Sequence, residues 1–103
     1  MSAKLNRSPF VLGKDGPENI IGRLKLVADE TRLRILSLLS TGPHNVTAIC
    51  EFTNMTQPAI SHHLSLLRVS GIVDNQRNGK SMIYSVTDLG WNIINGIRGH
   101  ISA

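Results

Sequence analysis

Residues 53–80, TNMTQPAISHHLSLLRVSGIVDNQRNGK, restrict the fold more than any other stretch, because a helix start, an amphipathic helix, a glycine stop and a hairpin follow without a linker. Asn54-Met55-Thr56 supplies a turn and then a hydroxyl N-cap. Gln57-Pro58 fills the first helical turn, where proline's missing N–H costs nothing. The helix expected over 56–70 buries Ile60, Leu64 and Leu67, which follow an i, i+4, i+7 spacing. On the opposite face lie Pro58, Ser61, His62 and Ser65, short groups with neither Glu nor Asp among them. Gly71 ends the helix as a left-handed cap.

A hairpin comes next. Ile72-Val73 opens one strand and Ser81–Val86 forms the other, with Met82, Tyr84 and Val86 alternating onto one face. Asn78-Gly79 predicts a type I′ turn, which needs positive φ at both central residues, and Arg77 and Lys80 flank it. Read singly, these features are ordinary: a polar helix face is often merely solvated, and a basic turn is often a solubilising loop tip. Their succession is harder to obtain by chance. A major groove about 12 Å wide admits one helix, and an acid-free face avoids phosphate repulsion. Two cations at a protruding tip then suit the phosphates or the minor groove alongside.

Around this head the periodicity predicts further helices. Ile20, Ile21, Leu24 and Val27 mark one from Glu18 to Ala28. Asp29 caps a second through about Ser40, whose core stripe is Leu33, Leu36 and Leu39 widened by Ile35 and Leu38, before Gly42-Pro43. Asn45 or Thr47 opens a short third helix to about Thr53, with Val46, Ile49 and Phe52 inward, so that it forms a helix-turn-helix with the helix at 56. A last helix, from Asp88 to about Ile101, carries Leu89, Ile93, Ile97 and Ile101 at i+4 steps with Trp91 and Ile94 beside them. That stripe needs cover, either from a two-fold mate together with the first helix or from its own domain. The fold class is therefore mainly α with a β-hairpin wing (α+β), a winged helix-turn-helix in the order α-α-α-α-β-β-α.

The domain is expected over 18–103, dimerising through its first and last helices, behind a flexible basic arm at 1–17. That arm holds Lys4, Arg7 and Lys14, and its apolar Phe10-Val11-Leu12 either docks or stays loose. A chain of 103 residues makes a limited core that a second subunit would extend. Eleven Lys and Arg against seven Asp and Glu, a formal charge of +4, permit a polyanionic partner without proving one. The single Cys50 rules out an intramolecular disulfide and an all-cysteine metal site within one chain. No signal-length apolar run opens the chain and no transmembrane run occurs, so a cytoplasmic protein without membrane contact is expected.

LKLVADETRLRILSLL (24–39), TQPAISHHLSLLRVSGIV (56–73) and RNGKSMIYSVT (77–87) together resemble the ArsR/SmtB family of bacterial winged-helix repressors. The resemblance implies a homodimer on double-stranded DNA bearing an inverted-repeat operator. Each recognition helix would lie in a major groove, with each wing, 74–82, on the flanking backbone. It places DNA contacts at Thr56, Gln57, Pro58, Ser61 and His62 on the helix and at Arg77, Asn78 and Lys80 on the wing. The chemistry agrees: Gln57 can pair bidentately with adenine, Ser61 can bond a base edge or phosphate, and Pro58 offers an apolar contact to a thymine methyl. His63, beside the apolar stripe, reads as a satisfied, partly buried residue.

The family's sensing sites do not carry over. Where many members have Cys-x-Cys before the recognition helix, this sequence has Ala48 and Cys50; where others have Asp-x-His on the last helix, it has Asp88 and Gly90, and Ile101 replaces a further histidine. No metal, cofactor or catalytic residue is expected. The alternatives are a metal- or redox-responsive repressor using Cys50, which more simply reads as a small core residue, or a winged-helix protein-interaction module. An enzyme is the weakest reading, since Ser61, His62 and His63 diverge from a helix with no acid to orient a base.

Overall fold

The computed structural model describes residues 8–9 and 16–101. Its elements are α1 (Gly16–Val27), α2 (Glu30–Leu39), β1 (His44–Asn45), α3 (Val46–Thr53), α4 (Gln57–Val69), β2 (Val73–Asn78), β3 (Ser81–Val86) and α5 (Asp88–Ile101). This is the expected winged helix-turn-helix with one addition, the short strand β1. The N-terminal Lys4, Arg7, Lys14 and Phe10-Val11-Leu12 lie outside the described residues, and α1 begins at Gly16 rather than Glu18.

Each boundary has a local cause. The Asp29 carboxylate accepts from the Arg32 N–H at 3.0 Å and caps α2, and Asn45 accepts from Ala48 N–H at 2.8 Å and caps α3. At the end of α3 Asn54 adopts φ 56°, and its N–H returns to the Cys50 carbonyl, which lets three residues turn the chain into α4. Thr56 has N-cap backbone geometry, but its hydroxyl makes no capping bond, contrary to expectation. Pro58 removes one of the two N–H groups such a hydroxyl would serve. Gly71, at φ 79°, closes α4 as expected, with Gly71 N–H to Arg68 O and Ile72 N–H to Leu67 O both at 3.0 Å.

The core joins Ile35, Leu36 and Leu39 of α2, Ile49 of α3, the expected Ile60, Leu64 and Leu67 of α4, and Ile72, Val73 and Ile94. The three α4 side chains are fully buried. Truncating such a leucine to alanine typically costs about 2–5 kcal/mol, so this helix is firmly held from behind. Two expected core residues are not core: Leu33 is 39% exposed and Phe52 51% exposed. In α3 the inward position after Ile49 is Thr53, four residues on, whose buried hydroxyl donates to the Ile49 carbonyl at 2.8 Å. α5 leaves the expected stripe only partly covered by its own chain. Gly90 and Ile94 turn into the core, while Leu89, Ile93 and Ile97 are only half-buried.

The sheet runs β1-β3-β2, all antiparallel. β2 and β3 pair from Val73↔Val86 to Asn78↔Ser81, so the loop is Gly79-Lys80 and not Asn78-Gly79. Asn78 is the last extended rung, and Gly79 alone of this pair has positive φ, 65°. A two-residue turn with glycine first meets the type II′ requirement and spares Asn78 the left-handed conformation that type I′ demands. β1 pairs His44 with Tyr84 and Asn45 with Ile83, tying the start of α3 to the wing's central strand.

Candidate nucleic-acid interface

Burial of Ile60, Leu64 and Leu67 turns the opposite side of α4 outward. Thr56, Gln57, Pro58, Ser61, His62 and Ser65 are all exposed there, and Arg77, Asn78 and Lys80 are exposed on the wing. No carboxylate lies anywhere on α4. The outward face is therefore a row of short polar donors and acceptors on a rigid helix.

The fold draws some of these residues together. Gln57, Arg77 and Lys80 line one cleft of about 220 Å³ between the helix-turn-helix and the wing, with Asn45, Thr47 and Ser81 completing its polar wall. The corrected turn explains this: Lys80 stands in the loop itself, and Arg77 sits on β2 opposite Met82. Asn78 goes elsewhere, into a shallow depression with Gln76 and Ile83 that shares only Arg77 with the cleft. Thr47 and Ser81 were not anticipated. For Thr47 the available signal was architectural: the first helix of a helix-turn-helix crosses the DNA backbone.

His63 is held from behind the reading face. Arg32 Nε donates to its Nδ1 at 3.1 Å, while Arg32 Nη1 donates to the Leu26 carbonyl at 3.1 Å. One guanidinium thus joins the end of α1, the start of α2 and the middle of α4. Because Nδ1 accepts this bond, the neutral ring carries its proton on Nε2. Burial first, and then the Arg32 cation, push the His63 pKa below its usual value, against a smaller opposing pull from Asp29. The Asp29 carboxyl is lowered chiefly by the capping bond from Arg32 N–H. His62, edge-on to His63 with centroids 5.9 Å apart, stays on the outer face.

Among the described residues no three His, Cys, Asp or Glu side chains cluster as metal ligands would. Cys50 is half-buried against the core. At Gly90 a Cβ would lie 2.2 Å from the Ile72 carbonyl oxygen and 2.7 Å from Val86 Cγ1. A histidine ligand does not fit at that position. No helix among the described residues is long and apolar enough to cross a membrane.

Comparison with known proteins agrees with this geometry. Residues 29–75 match the model of the bacterial regulatory protein, arsR family. The chain is 37% identical over 83 residues to the HTH-type transcriptional regulator NmtR of Mycobacterium tuberculosis, spanning 81% of this chain and 69% of NmtR. It is 37% identical over 62 residues to the transcriptional repressor SdpR of Bacillus subtilis, 60% of this chain and 69% of SdpR. Among solved structures it is similar to NolR from Sinorhizobium fredii, with a TM-score of 0.78 and 28% identity over 93% of this chain and 98% of NolR. It is also similar to a homodimeric winged helix-turn-helix DNA-binding domain from Mycobacterium bovis, with a TM-score of 0.72 and 26% identity over 82% of this chain and 78% of that one.

Proposed function

The chain belongs to the arsR family of bacterial regulatory proteins, and on that premise we propose that it is a homodimeric, sequence-specific DNA-binding repressor of transcription. The observation that carries this reading is the acid-free outer face of α4 with the Arg77 and Lys80 cations beside its first residue, Gln57. α4 enters the major groove, where Gln57, Pro58, Ser61 and His62 meet base edges, while Thr56 and the wing residues Arg77, Asn78 and Lys80 hold the backbone.

Dimerisation follows from apolar surface the single chain leaves uncovered. Ile21 and Leu24 of α1 are 49% and 57% exposed. Leu33 of α2, 39% exposed, and the half-buried Ile97 of α5 line an apolar cleft whose floor is the core residues Leu36 and Ile94. Large apolar side chains on adjoining helices call for a partner, and a second copy with the same faces supplies one. A two-fold dimer then presents two α4 helices to an inverted repeat.

Selection of bound sequences from a random duplex pool tests the reading. An inverted repeat is expected, with half-site centres about 34 Å apart or a multiple of that spacing. Recovery of no enriched sequence would instead favour a protein-interaction module. Repeating the selection with zinc and with oxidant identifies any metal or redox control; with position 90 closed and Cys50 half-buried, neither should release the DNA.

A further inference from the structure

The cleft between α3, α4 and the wing has a chemistry distinct from that of the outer face of α4. Its walls bring together two cations, Arg77 and Lys80, and two hydroxyls, Thr47 and Ser81, and they hold no carboxylate. Asn45 spends its Oδ1 on Ala48 N–H at 2.8 Å, which leaves its amide N–H groups as the donors it can offer. We propose that this cleft clasps one DNA backbone phosphate, with the Thr47 hydroxyl binding it together with Arg77 and Lys80. The inference rests on the DNA-binding reading above and deepens it.

A phosphate oxygen accepts hydrogen bonds only, and the cleft consists mainly of donors: a guanidinium fork, an ammonium and hydroxyls. A base edge in the major groove presents donors as well as acceptors and requires both in return. The cleft is also built rigidly. Thr47 lies two residues beyond Asn45, the end of β1, whose pairing with Ile83 fixes its position relative to the wing strand that carries Ser81. A phosphate seated there would set the depth and register of α4 in the groove. Gln57 shares the cleft's wall, and Pro58, Ser61 and His62 continue outward from it along the helix. Thr47 would then affect binding without reading sequence.

The test uses the full chain and the duplex recovered by selection, together with a scrambled duplex of equal length. Thr47→Val keeps the shape and removes the hydroxyl, whereas Thr47→Ser restores it. Fluorescence anisotropy titrations should show Thr47→Val weakening binding about a hundredfold on both duplexes, the loss of one hydrogen bond to a charged group in each half of the dimer. Its salt dependence should match wild type, while Arg77→Ala and Lys80→Ala, each removing one phosphate contact from both halves of the dimer, should each flatten the log–log salt slope by about 1.8. Thr47→Ser should bind within about twofold of wild type. Single methylphosphonate substitutions along the duplex should then reveal one position per half-site at which Thr47→Val and Lys80→Ala cause no further loss. Thr47→Val binding like wild type, losing affinity on the selected duplex alone, or mapping to a different phosphate from Lys80→Ala would overturn the clasp and leave the DNA-binding reading standing. A wild-type chain that selects no DNA would overturn both. Far-ultraviolet circular dichroism of each variant excludes misfolding as the cause of a loss.

Discussion

His63 lies next to the exposed His62, yet its energetics belong to the fold. The Arg32 Nε bond to Nδ1, burial and the neighbouring cation all favour the neutral ring. Unfolded, the same histidine titrates near pH 6.5. Since its folded pKa lies lower, the unfolded chain takes up the proton first as pH falls. The stability contributed by His63 is therefore complete above about pH 6.5 and is lost as pH falls through the folded value. Asp29 also has a lowered pKa, but its contribution is present above about pH 3.9 and lost below, so the two windows are separate. Urea midpoints measured at pH 7 and pH 5 should differ more for wild type than for His63→Gln, whose amide oxygen can accept from Arg32 and does not titrate. Equal pH dependence in the two proteins would refute this account.

At the scale of elements, two glycines decide how the wing and the last helix are placed. Gly79 carries the positive φ of the hairpin, while Asn78 is an extended rung opposite Ser81. Gly79→Ala should therefore destabilise by about 1 kcal/mol, whereas Asn78→Thr should be nearly neutral or slightly stabilising in a strand. The reverse order in thermal unfolding would restore the Asn78-Gly79 turn. Gly90 serves close packing instead. Thr87 receives Gly90 N–H at 3.0 Å and itself donates N–H to Ile72 O at 3.1 Å, so α5 starts directly on the chain leaving α4. With no room for a Cβ, Gly90→Ala should cost at least about 1–3 kcal/mol despite alanine's better helix propensity. A stabilised Gly90→Ala in denaturant titration would show that α5 can move away from Ile72.

At the scale of the whole molecule, burial is uneven between the helices. α4 is fully buried at Ile60, Leu64 and Leu67, whereas α1 buries only Val27 and leaves Ile21 and Leu24 in solvent. α1 is therefore weakly supported by its own chain, and under the proposed dimer it is the helix a second subunit would support most. Leu24→Glu should convert the dimer to a monomer in sedimentation experiments. Operator affinity should fall at least tenfold, because two linked half-site contacts become independent. Retained dimerisation in this variant would place the interface elsewhere.

How much was legible in the sequence follows from the range of the interactions involved. The cap at Asp29, the stop at Gly71 and the buried stripe Ile60/Leu64/Leu67 depend on contacts within a turn or two, so composition and spacing determined them, whereas the start of α3 stayed open between Asn45 and Thr47. The exposed reading face of α4 followed, since burying one stripe turns the other outward. The tertiary structure decided what depends on distant neighbours. β1 exists because Tyr84 and Ile83 offer it a partner. α5 turns Gly90 and Ile94 inward because the Ile72 carbonyl lies where any side chain at 90 would have to be. Thr47 meets Arg77 and Lys80 because a sheet pairing spanning 38 residues, from Asn45 to Ile83, brings them together. Local periodicity specifies which residues share a face of an element, and packing against the rest of the chain specifies what that face meets.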